Sequence, residues 1–454
     1  MESRSYETTK KLSAFIVETD YERISQEVIE RAKICFLDWI GSAYSGTSSF
    51  TDRLMHHWIK ERGGMRISTL IGSKYLVPPE QAALYNGMIS AVMEIDDVHE
   101  EASIHAGIGV IPAALAAAEY ARSSGRELIA SIVIGYDISV RVARAAGLPH
   151  HHFWHPTGTC NTFGAAAAAG RLLHLDEERL TMALGLSGTQ AAGLWESINI
   201  EAIMAKHLHS GKASSNGLFS ALLARDGFKG SARVIEGERG FLTSSSKATE
   251  QDMIRVTEDF GNPFLLMKNF FKRYACCRVC FEGIEGIQQI LDSHHLHYQD
   301  VEKIIVTMNP MRTWMVGNED PKDIYEAKFS LPFCMALMAV KGNASLLQFT
   351  EENLHHPVVK EVMGKVKLLS DTDMPKKARV EVICKDGARF TVEPLCRSLS
   401  LEEVREKFIR NMTPLLRQRH IQEILSFNEN LEKIEDMREF THLLRKKPKG
   451  GSHS

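Results

Sequence analysis

The sequence predicts a mostly α-helical protein in which a large all-helical domain is joined to a smaller α+β domain. Its 454 residues exceed the size of one ordinary compact core, so two domains are expected. Apolar residues follow helical spacing from the start of the chain to about residue 268, and near residue 300 short β-branched runs replace them. We therefore predict a helical domain at 1–268, completed by 402–454, and an α/β lid domain at 269–401.

The predicted helices of the first domain are amphipathic or rich in alanine. Residues 24–43 carry apolar side chains on one broad helical face. Residues 110–121 and 163–173 are runs of small residues with high helix propensity, which let neighbouring helices approach closely. A further small-residue helix is predicted at 213–223, after a basic segment. Such helices are typical of the interior of a large bundle.

The second domain shows strand and helix signals in mixed order. The predicted elements are strands at 301–308, 378–384 and 389–393 and helices at 325–340 and 350–366. The last two strands flank a Lys-Asp-Gly turn and form a hairpin signal. From Ser400, which precedes an acidic first turn as an N-cap would, the chain is predicted to be helical again and to pack on the first domain.

The composition is that of a globular protein that acts on small molecules. The formal net charge is only −3, so neither a nucleic-acid partner nor a membrane partner is expected. No apolar run reaches the roughly 18 residues that a membrane span needs, and the N-terminal residues lack the apolar stretch of a signal peptide. Eight scattered cysteines do not form a secreted disulfide framework. We expect a cytoplasmic protein with reduced thiols.

The first cluster that could carry chemistry runs from Glu94 to Gly107 and holds several carboxylates and two histidines, His99 and His105. Such groups suit general acid–base catalysis, and they also suit a divalent metal. The alternative is a polar loop in front of a helix. Apolar segments flank the cluster on both sides, and buried acids are costly unless they are paired or used. This setting favours a functional site.

Two further clusters are basic. The segment 150–155 has four histidines, which invites a zinc interpretation, but structural zinc sites use longer spacings and usually sulfur. We favour a single functional histidine, His155, beside the N-terminus of a helix that starts near Thr159 or Thr162, where anions are stabilised. The segment 206–212 supplies Lys206 and His209 ahead of the next small-residue helix and suits carboxylate binding.

The last cluster runs from Phe271 to Cys280. Cys277 and Cys280 form a C-x-x-C pair without a second pair, which argues against a four-cysteine zinc or iron–sulfur site. The cations Lys272 and Arg278 are therefore the more informative residues. No phosphate-binding glycine motif and no nucleophile elbow is present, so we predict no cofactor. Bases and cations together fit removal of a proton beside a carboxylate and stabilisation of the resulting enolate-like charge.

In their order along nearly the whole chain, these segments resemble the MmgE/PrpD family, which includes 2-methylcitrate dehydratase, cis-aconitate decarboxylase and iminodisuccinate epimerase. The matching segments are 85–87, 94–97 with His105, 112–116, 135–137, 155–158, 206–211, 240–241, 272–276, 328–332 and 407–408. The resemblance implies a helical domain, a smaller α/β lid domain, an active site between them, homodimers and no metal. It places His105, His155, Lys206 and Lys272 on active-site positions, with Asp96 and Asp97 in the adjoining acidic motif.

The chain departs from the family pattern at several positions. Glu94 stands where Asp is common, and Val98 stands where Thr is frequent. A histidine found in several members after the lysine of the fourth cluster is missing, with Cys276 or Cys277 near one such position and Phe281 at another. A carboxylate displaced by one methylene can change a rate heavily. These departures indicate an altered chemistry or a substrate other than the best-known one.

The leading sequence-based hypothesis is a cofactor-free lyase that dehydrates a 2-methylcitrate-like hydroxy acid. In it, His105 or Asp97 transfers the proton and His155 assists the leaving group. The remaining residues that we expect at the site are Lys206, Lys272, Glu94, Asp96, His209 and Arg278, with no metal. The alternatives are decarboxylation of a cis-aconitate-like acid, epimerisation of a substituted succinate, and a catalytically silent homologue that binds a carboxylate or a protein partner. A zinc enzyme built on the four histidines is a further alternative.

Overall fold

The computed structural model describes residues 7–198, 203–375 and 377–446. Most of the first 255 residues form helices, as the apolar spacing predicts. These helices are α1 (Thr8–Glu18), α2 (Gln26–Gly46), α3 (Phe50–Arg62), α4 (Pro79–Ala91), α5 (Gly107–Ala121), α6 (Gly125–His151), α7 (Pro156–Leu172), α8 (Glu177–Gly188), α9 (Ala205–Arg225), α10 (Phe241–Ser245) and α11 (Glu250–Arg255). A two-stranded antiparallel hairpin, β1 (Ser68–Thr69) with β2 (Leu76–Val77), lies among them.

Small residues set the distance between the central helices. A side-chain carbon on Gly87 of α4 would lie 2.9 Å from the Cα atom of Gly211 on α9, and one on Gly211 would lie 2.4 Å from the carbonyl oxygen of Leu84. Both distances are shorter than real contacts, so only glycine lets the two backbones approach so closely. This approach brings the first turn of α9 next to the segment that follows α4.

The C-terminal part of the chain is built on a four-stranded sheet. Its strands are β3 (Val301–Met308), β4 (Val366–Ser370), β5 (Arg379–Cys384) and β6 (Arg389–Val392). Their order is β4-β3-β5-β6; β3 is parallel to β4, with Ile304 beside Val366, and antiparallel to β5, with Val306 beside Val380. The predicted hairpin is β5–β6. The helices of this region are α12 (Phe281–Ser293), α13 (Pro310–Val316), α14 (Ile324–Ala327), α15 (Leu331–Lys341), α16 (Glu351–Leu354) and α17 (Pro357–Gly364).

The predicted fold class, mostly helical with a smaller α/β domain, is confirmed, but several element bounds are wrong. The helix expected at 325–340 breaks at Lys328–Ser330, because Ser330 caps α15 and Pro332 follows in its first turn. The helix expected at 350–366 is divided into α16 and α17, and the missed strand β4 begins at Val366. Strand β4 pairs with β3. Helices α7 and α9 begin earlier than expected, at Pro156 and Ala205. The basic residues from 206 to 212 therefore lie inside α9.

Three helices follow the sheet, α18 (Leu401–Met412), α19 (Gln418–Glu429) and α20 (Arg438–Leu444). Ser400 caps α18, and its side chain and that of Glu403 bond each other's backbone N–H groups in a capping box. Apolar side chains of these helices, such as Phe408 and Phe440, belong to the hydrophobic core of the N-terminal helices. The sheet and its helices enclose a second core. The predicted domain boundaries, between residues 268 and 269 and between residues 401 and 402, remain a prediction.

One segment of the helical part contributes to the second core. Ile95 and Val98 pack with residues of the sheet region, and Val98 forms a two-way backbone pair with Phe270, with N···O distances of 3.0 and 2.8 Å. The acidic residues of the same segment instead contact polar groups such as Lys206 of α9 and Tyr136 of α6, as described below. Residues 94–99 thus form the seam between the two cores.

No helix in the described ranges is long and apolar enough to cross a membrane.

Candidate active site

A cavity of about 510 Å³ opens at this seam. We call one side of it the helical wall; it consists of Glu94, Val98, Glu100, Ser103, His105, Leu148, His151, His155, Trp195, Glu196, Ile203 and Lys206. We call the other side the α+β wall; it consists of Cys277, Arg278, Val279, Glu282, Asn309, Met311, Arg312, Trp314, Met315, Glu326 and Phe329. The volume suits a small organic molecule.

Glu94 joins the two predicted lysines. Its backbone lies in the left-handed region, with φ 55°, which turns the chain directly after α4. The Lys206 ammonium contacts Glu94 Oε1, and Lys272 Nζ donates to Glu94 Oε2 and to the Glu94 carbonyl oxygen, each at 3.2 Å. Burial alone would raise the pKa of Glu94, but the two ammonium groups outweigh it and lower this pKa. The Glu94 carboxylate is therefore ionised.

The Asp96 side chain holds His105. The Nδ1 atom of His105 lies 2.7 Å from Asp96 Oδ2 and 3.0 Å from the carbonyl oxygen of Asp97. Both neighbours are acceptors, so Nδ1 carries the proton in the neutral ring and Nε2 is left as the basic nitrogen. Burial lowers the pKa of His105, although Asp96 opposes the shift. The structure thus gives a neutral, oriented imidazole in the cavity wall.

Asp97 faces away from the cavity. Its carboxylate accepts hydrogen bonds from Tyr136, at 2.8 Å, and from the Asn269 side chain. Burial and the nearby Asp38 carboxylate raise the pKa of Asp97 to about 7. The carbonyl oxygen of this residue supports His105, so the structure assigns Asp97 a supporting position and does not bring its carboxylate to the cavity.

The second predicted histidine begins α7. His155 is the residue before Pro156, and its backbone N–H donates to the carbonyl oxygen of Gly193 at 2.8 Å. Its Nδ1 atom lies 3.2 Å from Nδ1 of His209, so one ring donates and the other accepts. Burial, followed by the effect of His209, keeps the pKa of His155 well below its usual value. Both rings are neutral at pH 7, because burial also lowers the pKa of His209, to about 4.

The α+β wall carries two arginines. Arg278 pairs with Glu100 at 2.7 Å and with Glu282 at 3.1 Å, and its guanidinium lies over the rings of Phe270 and Phe281. Arg312 also pairs with Glu282, at 2.7 Å. In the described part of the chain, Arg278 Nε and Arg312 Nη1 are buried without a hydrogen-bond partner. Unmet guanidinium donors beside a cavity favour the binding of a carboxylate.

The departures from the family pattern have structural explanations. Phe281, at a position of the missing histidine, is buried against Tyr274 and Phe270 and supports Arg278. Cys277 lies in the cavity wall, and its thiol contacts Met315 at 3.8 Å. Val98 is also part of the wall, where a threonine would add a hydroxyl.

The histidine segment does not assemble a zinc site. His150 bonds Thr159 and Ser245, and His151 lies against Trp195. Within the ranges that the structure describes, no three histidines or acids bring ligand atoms within 4.8 Å of one another. The one group of three that does so there consists of cysteines and is considered below.

Of the predicted site residues, the structure brings five into the cavity wall: Glu94, His105, His155, Lys206 and Arg278. Lys272, Asp96, Asp97 and His209 form the layer behind them. Sequence reasoning missed Arg312 and Trp195. Arg312 follows Asn309-Pro310, which the sequence shows only as the end of a strand. The catalytic roles of the predicted site residues remain predictions.

The fold and this cavity define the class of the protein: a mostly helical protein with a smaller α/β domain and a cavity between its two cores that is lined by histidines, acids and cations. Its N-terminal part, residues 10–253, matches the MmgE/PrpD N-terminal domain, and residues 274–433 match the MmgE/PrpD C-terminal domain. The chain belongs to the MmgE/PrpD family. The predictions of this family and of a lyase-type enzyme are confirmed.

Curated relatives match over most of their length. Cis-aconitate decarboxylase from Homo sapiens is 26% identical over 445 residues, which cover 93% of this chain and 91% of the relative. Cis-aconitate decarboxylase from Aspergillus terreus is 26% identical over 421 residues, with 84% and 83% covered. The enzyme of the same name from Mus musculus is 23% identical over 462 residues, with 96% and 93% covered.

Proposed function

We propose that this lyase acts on a small polycarboxylate and that its reaction is decarboxylation of a cis-aconitate-like acid. The observation that carries the proposal is His105, oriented by Asp96 in a cavity wall that also holds Lys206. The order of the sequence-based hypotheses is thereby reversed, because the similar curated proteins are named decarboxylases. Dehydration of a 2-methylcitrate-like acid becomes the second candidate.

The proposed reaction needs one proton and stabilisation of negative charge. The bond between the methylene carbon and its carboxylate breaks, carbon dioxide leaves, and the released electron pair forms a new double bond. The electron pair of the old double bond takes up a proton at the carbon beside another carboxylate. An anionic substrate raises the pKa of a nearby imidazole, so His105 can supply this proton and recover it from solvent. The Asp96 carboxylate stabilises the imidazolium.

The cations of the cavity hold the remaining carboxylates in this proposal. Lys206 and Lys272 share Glu94, so a substrate carboxylate joins an existing network of paired charges. Arg278 and Arg312 offer buried N–H groups on the opposite wall after a small side-chain adjustment. Five glutamates line the cavity together with these cations, namely Glu94, Glu100, Glu196, Glu282 and Glu326. The cations of the wall are thus already paired with acids, and a substrate carboxylate has to share them with Glu94, Glu100 or Glu282.

Proton NMR in D₂O tests the reaction directly. The reduced full-length protein is incubated with cis-aconitate, citrate, 2-methylcitrate and substituted succinates. Decarboxylation gives new terminal vinyl signals, loss of one carbon and deuterium at one saturated carbon. A vinyl signal from a hydroxy acid without carbon loss would make the protein a dehydratase, and deuterium entry without a new product would make it an epimerase.

The matched variants are His105→Gln and His57→Gln. The first removes the proposed proton donor and should lower turnover by about 10²- to 10⁴-fold, whereas His57 is an exposed residue of α3 and its variant should keep full activity. Full activity of His105→Gln would refute the assigned role. Binding of the acids without turnover in any case would favour the catalytically silent homologue.

A further inference from the structure

Three buried cysteines meet behind the cavity. Cys276 and Cys280 flank the turn before α12, and Cys334 lies in α15, more than fifty residues further along the chain. All three are fully buried, and their sulfur atoms lie within 4.8 Å of one another. The pair that spacing suggested, Cys277 with Cys280, is not the one that the fold assembles, because Cys277 faces the cavity.

Lys328 is the second unusual group at this place. Its side chain is fully buried, and its ammonium donates to the carbonyl oxygen of Ala275 at 3.1 Å and lies 4.3 Å from the ring centre of Phe349. Within the described ranges, no carboxylate oxygen lies within 4.0 Å of it. Cys276 and Cys334 are among the groups that act on it electrostatically. The Glu94 carboxylate also acts on it electrostatically. A buried cation with no carboxylate in direct contact is costly, so negative charge on the neighbouring thiols would stabilise it.

We propose that Cys276, Cys280 and Cys334 form a binding site for a divalent thiophilic cation of the zinc class. Soft sulfur ligands select thiophilic ions such as Zn²⁺ and its analogue Cd²⁺ over hard cations such as Mg²⁺ and Ca²⁺. Zinc–sulfur bonds of about 2.3 Å place sulfur atoms roughly 4 Å apart. The sulfurs therefore need to move by about 1 Å or less, which side-chain rotation allows. Three protein ligands leave a fourth tetrahedral position for one small ligand.

The site would fasten the segment that carries Lys272 to the α+β core. Cys276 follows Lys272 by four residues and precedes Cys277 of the cavity wall. The backbone already ties this segment to the residues between α14 and α15, since Cys277 N–H donates to the carbonyl oxygen of Lys328 at 2.9 Å. An ion bound by Cys334 would add a link to α15 itself. This role is structural and is separate from the proposed reaction, which routes no step through a metal.

Cadmium titration tests the proposal with a readout that does not depend on activity. The full-length protein is reduced, treated with a chelator and titrated with Cd²⁺, while the ultraviolet charge-transfer absorption of cadmium thiolates is followed. One ion should bind per chain, Zn²⁺ should displace it, and either ion should raise the melting temperature. The absence of saturable 1:1 binding by the folded, reduced protein would overturn the proposal.

Cysteine variants locate the ion. Cys334→Ala and Cys276→Ala should each weaken cadmium binding by at least about 10²-fold, and Cys384→Ala should not, because Cys384 is a buried cysteine of β5 outside the group. Two ligand variants are used, so that the test remains valid if one of them does not fold. Undiminished binding in both folded variants would place the ion elsewhere, for example on the histidine segment. Binding of Cu⁺ alone would overturn the assignment to a divalent ion.

Discussion

The two walls of the cavity differ in how their charges are held. On the helical wall and directly behind it, Glu94, Asp96 and Lys272 are between 0 and 3% exposed and are paired within a closed network. On the α+β wall, Arg278 and Arg312 are 14 and 11% exposed, and one partner, Glu100, is 48% exposed. Buried paired charges keep fixed positions, whereas more exposed ones can exchange partners. Under the proposed function, we expect proton transfer to depend on the fixed network of the helical wall and the arginines of the α+β wall to contribute mainly to substrate binding.

Among the substitutions in the two walls, replacing Lys272 should have the largest effect on stability and on kcat. Lys272→Met leaves the buried carboxylates of Glu94 and Asp96 with less compensation, so we expect a loss of about 3–5 kcal/mol in stability and a fall in kcat of about 10²- to 10³-fold. Thermal melting and turnover measure both. Lys367→Met, at a side chain that is 51% exposed, is the control. A variant as stable and active as the wild type would show that the network is not needed.

Asp97, behind the helical wall, should make the stability of the protein depend on pH. Because burial raises its pKa to about 7, the folded state binds a proton that the unfolded state releases between about pH 4 and 7. This contribution to stability is present below about pH 4 and is lost as the pH rises through 7. Asp97→Asn removes this pH-dependent contribution. The stability of the variant relative to the wild type should therefore increase by up to about 1.4 kcal/mol for each pH unit in this window. Melting curves at several pH values measure the difference, and a constant difference would contradict the buried, protonated carboxyl.

Asp96→Asn should act on kcat alone. The amide keeps the size of the side chain but removes the charge that stabilises the His105 imidazolium. We expect kcat to fall about 10- to 100-fold, since groups that orient a functional histidine have effects of this size, with little change in KM. Steady-state kinetics separate the two constants. A change confined to KM would move Asp96 from orientation of the histidine to substrate binding.

On the opposite wall, Arg312→Met should change KM instead. The variant removes one cation and its buried N–H groups, and we expect KM to rise about tenfold with kcat within about twofold, because one charge-assisted hydrogen bond is worth about 1.5 kcal/mol. Arg379→Met serves as the control, since Arg379 is half-exposed and lies on β5 away from the cavity. Equal losses in kcat would erase the distinction between the walls.

The smallest effect is expected at Glu100. Glu100→Gln breaks a pair with Arg278 whose acidic member is almost half-exposed, and such pairs contribute at most about 1 kcal/mol. KM should change by less than about fivefold, and the change should shrink further at high salt. Kinetics at two ionic strengths measure it. A larger, salt-independent effect would mean that this pair is as fixed as those of the helical wall.

The fold was predictable from the sequence wherever local spacing decides the structure. The apolar faces of α2 and α5 and the β5–β6 hairpin follow from residues close in sequence. Strand β4 was not predictable in this way, because its five residues are extended by pairing with β3, some sixty residues earlier. The break at Lys328–Ser330 was missed since the capping role of Ser330 competes with a continuous apolar pattern.

The sequence identified five residues that line the cavity, but it did not show the contacts between them. Acids between two apolar segments pointed to the stretch from Glu94 to Gly107, and the order of motifs added the lysines. That Lys206 and Lys272 share one carboxylate depends on α9 approaching α4, which spacing does not show. The sequence did not predict Arg312 and Cys334 for the same reason, since each contacts its partners through tertiary packing.

The contacts of Lys407 bear on when the site is completed during synthesis. This buried residue of α18 bonds Asp38 at 2.7 Å and the carbonyl oxygen of Ile95 at 2.5 Å, in the seam between the two cores. A chain still being translated holds the acidic segment and both site histidines long before α18 has left the ribosome. Until then Asp38 and the Ile95 carbonyl lack their cation. This part of the seam therefore gains its cation only after α18 (Leu401–Met412) has been synthesised and has packed on the earlier helices.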